Sequence, residues 1–157
     1  MSKSRCNVIV PEVVADIYGV DVVRCYLLFM GPYDATMVWN EKTLMGVKRF
    51  LNKFEEFIQK QITRTKLQEP NKLQISPAVA GQANSNNQYT INIDSSREVK
   101  VIVNKMINGV ERDIESFKYN TALAKMMEGL NNLRINQYQL SNEEIKVLIK
   151  LLAPFAP

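Results

Sequence analysis

Four stretches of this chain repeat apolar residues at intervals of three and four, and none of them can hide its apolar stripe alone. Leu44, Val47, Leu51, Phe54 and Ile58 form the first stripe, and Val99, Val103, Met106, Val110, Ile114 and Phe117 the second. Leu123, Met126, Met127, Leu130 and Leu133 form the third, and Ile145, Leu148, Ile149 and Leu152 the fourth. An α-helix turns once in about 3.6 residues, so each set lies along one side of a helix. Four such helices need one another to leave water, and the predicted fold class is mainly α, a helical bundle.

The residues between the stripes supply starts and stops. Pro11 suits the first turn of a helix running to about Tyr18, with Gly19 as its left-handed terminator. Asp21 is placed to cap a second helix carrying Val22, Val23, Tyr26, Leu27 and Phe29, which Gly31-Pro32 breaks. Asn40 is predicted to cap the longest helix, Ser95 with Glu98 to form a capping box, Asn120 to cap the next helix, and Ser141 with Glu144 to form a second box. The final helix is expected to stop at APFAP.

Between about Thr63 and Asp94 the helical period is lost in a run rich in Asn, Gln, Pro and Ser, read as an insertion at about 63–94. Within it LQIS and YTINI alternate apolar and polar residues, the pattern of a small β-hairpin with its tip between Gly81 and Asn87.

Composition closes off several chemistries. The 157 residues include no histidine, which removes the commonest general base and the commonest metal ligand together with Ser/His, Cys/His and zincin arrangements. The two cysteines, Cys6 and Cys25, have neither the number nor the spacing of a disulfide framework or a zinc site and are expected to be free thiols. No metal ligands are assigned. No apolar run approaches the ~18 residues of a membrane span and the start does not have the pattern of a secretory leader, so a soluble, cytoplasmic protein without membrane contact is expected. The net charge of +4 leans towards an anionic partner without selecting one.

Two places carry candidate chemistry. In the opening Met1-Ser2-Lys3-Ser4 a flexible cation stands between two hydroxyls, the make-up of a phosphate clamp, or of a solvated terminus. On the longest helix Lys48, Arg49, Asn52, Lys53, Glu55, Glu56 and Lys60 lie away from the stripe, a mixed face that suits plain solvation or an anion. Arg24, inside the second apolar stretch, suits a snorkelling or ion-paired side chain, or a ligand contact.

The phrases MSKSRCNVIVPEVVADIYGVDVVRCYLLFMGP and WNEKTLMGVKRFLNK, and later FKYNTALAKMMEGLNNL and LLAPFAP, together resemble leucyl-tRNA synthetases, class I aminoacyl-tRNA synthetases, from the KMSKS signature through part of the anticodon-binding domain. The resemblance covers roughly residues 1–60 and 98–157. It implies a KMSKS loop and stem-contact helices over 1–39 and a truncated anticodon-binding bundle over 40–157. It also implies an ATP site at Met1, Ser2, Lys3 and Ser4, with Lys3 as the catalytic cation that steadies the phosphates as pyrophosphate leaves. The glycine that usually follows the basic residue of the signature is Cys6 here.

The partners so implied are ATP with Mg2+, leucine and tRNA(Leu), and Lys48, Arg49 and Lys53 are the candidate tRNA contacts, chosen by charge and helical position. The implied activity is that of an ATP-dependent leucine–tRNA ligase serving translation. A chain without histidine cannot carry the family's HIGH motif, so this part alone is expected to be inactive. The alternative is a free-standing helical module that binds tRNA or another protein without catalysis.

Overall fold

The computed structural model describes residues 9–32, 34–68 and 93–157. Six helices follow in order: α1 (Pro11–Tyr18), α2 (Val20–Phe29), α3 (Glu41–Gln68), α4 (Ile93–Glu115), α5 (Tyr119–Ile135) and α6 (Asn142–Leu152). No strand occurs among the described residues. The proposed hairpin falls mostly on residues outside them, and Ile93, the last residue of YTINI, is helical. The mainly α expectation is met.

One buried cluster runs from Val22 in α2 to Phe155 beyond α6. α4 packs most extensively against α5, with α6 across α4 and α3. α2 bridges α3 and α5, and α1 leans on α2. The close approach of α4 and α5 depends on Gly129, where a β-carbon would overlap the Met106 side chain.

Most stripe residues are core: Leu44, Val47, Phe54, Ile58, Val99, Val103, Met106, Val110, Leu123, Met126, Leu130, Leu133, Ile145, Leu148 and Leu152 are all buried. The exceptions follow from where neighbours sit. On α3 the buried side is rotated towards Phe50 and Phe57, and Leu51 is half-buried. Ile149 is exposed on α6. Phe117 leaves the helix altogether: its φ of 56° makes it the left-handed residue that ends α4. The Lys118 N–H donates to the Asp113 carbonyl at 2.7 Å and the Phe117 N–H to Ile114 at 3.0 Å, the two hydrogen bonds of a Schellman motif. Gln137, with φ 52°, closes α5 in the same way.

These tight turns correct several predicted caps. Asn40 does cap α3, accepting from the Lys42 N–H at 2.9 Å, and its own N–H is held by the Tyr26 hydroxyl at 2.7 Å. The Ser141–Glu144 capping box is complete. Gly19, however, has φ 95° and ψ 146°, outside the left-handed helical well, and serves both as the end of α1 and as the N-cap of α2, which leaves Asp21 inside the first turn. Asn120 likewise lies inside α5, because the Phe117 turn lets Lys118 start the helix directly; its Oδ1 is buried without a hydrogen-bond partner among the described residues. α4 starts at Ile93, so Ser95 is within the helix rather than at its cap.

The first residues read as the insertion are helical. Residues 63–68 continue α3, with the Thr63 hydroxyl donating to the Gln59 carbonyl at 2.9 Å and the Thr65 hydroxyl to Gln61 at 3.0 Å. Such bonds keep polar threonines inside a helix, and the first residue that opposes helix is Pro70.

A buried ion pair joins α4 to α5. Lys125 Nζ stands 2.6 Å from Asp113 Oδ2, also donates to the Gly109 carbonyl at 3.2 Å, and the Thr121 hydroxyl donates to the same Asp113 oxygen at 2.7 Å. Burial alone would raise the Asp113 pKa, but the hydrogen bonds from Lys125 and Thr121, with the charges of Lys125 and Arg112, outweigh it and hold the carboxyl below its ordinary value of 3.8. A depressed carboxylate stabilises the fold at every pH above its unfolded value and loses that contribution as the pH falls through the lower folded value.

Asp113→Asn is therefore expected to cost about 1.5–3 kcal/mol near neutrality. This is less than a fully buried pair would lose, because a third of the Lys125 side chain stays in water. Thermal melts of both proteins should show a gap that is constant above about pH 5 and closes below pH 4. A gap unchanged at pH 3 would remove the pair from the acid response.

Candidate nucleic-acid interface

Met1, Ser2, Lys3, Ser4 and Cys6 lie outside the described residues. The predicted cations of α3 do not, and the helix separates them. At about 100° per residue, Lys48 sits some 100° from Arg49 and about 140° from Lys53, so only Arg49 and Lys53 share a face. Lys48 is half-buried, its ammonium 5.5 Å from the centre of the Tyr18 ring, where it ties α3 to α1. Arg49 is exposed and its Nε donates to the Met45 carbonyl at 3.3 Å. Lys53 is exposed and makes no ion pair or side-chain hydrogen bond among the described residues. Arg24 is exposed as well.

The Arg49–Lys53 face continues in both directions. Lys42, Arg49, Lys53, Lys60 and Arg64 follow one another at intervals of seven, four, seven and four residues. That spacing keeps them within a narrow strip along some 33 Å of helix. At its far end the strip meets α5: Lys60 and Arg64, with Glu56, Phe57 and Gln61, share a cleft of about 330 Å³ with Arg134 and Gln137.

Gln61 joins the two sides of the cleft. It is 2% exposed, its Nε2 donates to the Tyr138 carbonyl at 2.9 Å, and its Oε1 accepts from the Leu140 N–H at 3.2 Å. The turn after α5 is thereby fastened to α3. The Tyr138 hydroxyl donates to the Glu98 carboxylate, which, ahead of burial, raises the phenol pKa. Arg64 and Arg134 escaped selection from the sequence. The seven-four spacing could have found Arg64, whereas nothing local links Arg134 to α3.

The Cys25 thiol, by contrast, is buried and has its pKa raised to about 11 by burial and by Asp21, so it is no nucleophile at neutral pH. Among the described residues no group of three or more His, Cys, Asp or Glu could hold a metal ion, and no helix is long and apolar enough to cross a membrane.

No protein-family model matches the chain. Over its whole length it is 35% identical to a leucine–tRNA ligase of Bdellovibrio bacteriovorus, and over 158 aligned residues 35% identical to that of Chlorobaculum parvum. It spans 17% of each of these relatives. It is 30% identical to the leucine–tRNA ligase subunit beta of Aquifex aeolicus, again along the whole chain, and spans 52% of that protein. The chain is a relative of the leucyl-tRNA synthetases.

The fold agrees. The LeuRS chain in a ternary complex with tRNA and LeuAMS, the agnB2 enzyme of Agrobacterium radiobacter K84, matches with a TM-score of 0.76 at 28% identity, covering 100% of this chain and 19% of the synthetase. The similarity runs through the central stretch between α3 and α4, which the phrase-by-phrase resemblance had left out. Among leucyl-tRNA synthetases the region matched is a C-terminal portion.

Proposed function

We propose that this chain supplies part of a leucine–tRNA ligase, the enzyme that activates leucine with ATP and attaches it to tRNA(Leu) in the cytoplasm for translation. The observation that carries the proposal is similarity to leucine–tRNA ligases along the entire chain. In this division of labour Met1, Ser2, Lys3 and Ser4 hold the phosphates of ATP, and Lys3 stabilises the charge that moves onto pyrophosphate as the leucine carboxylate attacks the α-phosphorus. Magnesium enters as the ion of the nucleotide substrate.

The helices carry the tRNA. Arg49 and Lys53 face solvent on α3, where they would meet phosphates and fix the register of the RNA without reading its bases. Lys48 braces α1 against α3 and adds its charge from a different side of the helix. The exposed apolar side chains Val13, Ile17, Val20 and Leu27 on α1 and α2 fit a surface that packs on other parts of a synthetase.

Titrating the chain with tRNA(Leu) over a salt series tests the binding part. Contact with several phosphates requires log Kobs to fall linearly with log[salt]. Absence of binding at low salt would defeat it. The chain alone should support no leucine-dependent exchange of pyrophosphate into ATP, and measurable exchange would show that it is something other than a part.

A further inference from the structure

We propose that Lys60, Arg64 and Arg134 form a phosphate-binding cleft that grips the RNA backbone at the junction of α3 and α5, beyond the Arg49–Lys53 face. This rests on the tRNA-binding reading above and adds a site to it. The charge balance is the first support: three cations and a single carboxylate, Glu56, line the cleft. The second is that no described residue satisfies them. None of the three cationic side chains has an ion pair or a side-chain hydrogen bond among the described residues, although Arg64 and Arg134 are half-buried.

A guanidinium partly withdrawn from water and left without an anion favours one from outside, and its fork of donors matches two oxygens of one phosphate. Arg134 also lies in the last turn of α5, where a cation offsets the negative helix end. That role needs no facing cations, however, and does not explain why Lys60 and Arg64 share the cleft.

Size and continuity point to a polymer rather than a small anion. The cleft has the volume of roughly eleven waters, more than one phosphate fills. It is open, and it ends the row that begins at Lys42, so a chain of phosphates following α3 enters it last. Gln61 is the positioning residue. By holding the Tyr138 carbonyl and the Leu140 N–H it sets the turn after α5, and so the end of the helix that carries Arg134.

The test uses the whole chain and an unmodified tRNA(Leu) transcript, with affinity measured from low to moderate salt. The double substitution Arg64→Gln with Arg134→Gln should weaken binding tenfold or more at low salt and make the salt slope shallower by about one unit per lost phosphate contact. Arg64→Lys with Arg134→Lys should keep the slope, and Lys150→Gln on α6 should change neither quantity. Helical circular dichroism and melting temperature identify any variant that fails to fold.

If the wild-type chain binds and the folded double variant retains its slope, the cleft proposal is wrong while the tRNA-binding reading stands. If the wild-type chain does not bind at low salt, both fall. An Arg49→Gln, Lys53→Gln variant that loses affinity while the cleft variant does not would assign the RNA to the upper part of α3 alone.

Discussion

Alanine at Lys3, in a complete leucine-activating enzyme containing this chain, should slow adenylate formation by about 10² to 10³ while leaving leucine binding nearly unchanged. The direction follows from where charge moves. Leucine binds before any phosphorus–oxygen bond breaks, so its affinity does not sense an ammonium placed on the leaving group. Breaking the bond to the α-phosphorus puts negative charge on pyrophosphate, and a positioned ammonium lowers that state more than the ground state. Pre-steady-state measurement of adenylate formation separates the two quantities. Equal losses in rate and in leucine affinity would make Lys3 a binding residue, and an unchanged rate would remove it from the reaction.

The largest effect on folding is expected beyond α6. Phe155→Ala should destabilise the chain by about 3–5 kcal/mol and lower its melting temperature by roughly 10 °C or more. Phe155 lies after α6, next to Pro154, in a stretch that from sequence only ends a helix. In the folded chain its N–H donates to the Leu152 carbonyl at 2.9 Å, and the resulting turn carries the ring back into the core, where it is 1% exposed. Urea denaturation with an unchanged m-value would report the loss. A cost below about 1 kcal/mol would mean that the core closes without it.

Much of the architecture was legible because helix signals are local. The stripe from Val99 to Val110 runs over about three turns and the box from Ser141 to Glu144 over one, and both are realised. Position within a helix proved harder. Asn120 and Asp21 have good capping chemistry, but each falls inside a helix whose start is set by the turn before it. Phe117 kept the period of α4 on paper and became its terminator, because the next helix had to reverse direction there. Thr63 and Thr65 stand in the run read as the insertion, yet their hydroxyls bond back to α3.

The candidate site divides along the same line. Charge, spacing and resemblance made Lys3, Arg49 and Lys53 candidates, since each signal depends only on neighbours a few residues away. Lys48 was equally eligible by charge; helical spacing already turns it away from Arg49 and Lys53, and its contact with Tyr18 from α1 comes from the folded chain. The cleft of Lys60, Arg64 and Arg134 joins residues about seventy positions apart, through a clamp between Gln61 and Leu140. The sequence by itself determined the helices, their apolar sides and the likeness of the chain to leucyl-tRNA synthetases, because periodicity, capping and motif are properties of contiguous residues. That Arg134 meets Lys60 and Arg64 was decided by tertiary structure alone, because packing α5 and its turn onto α3 sets distances that no local pattern encodes.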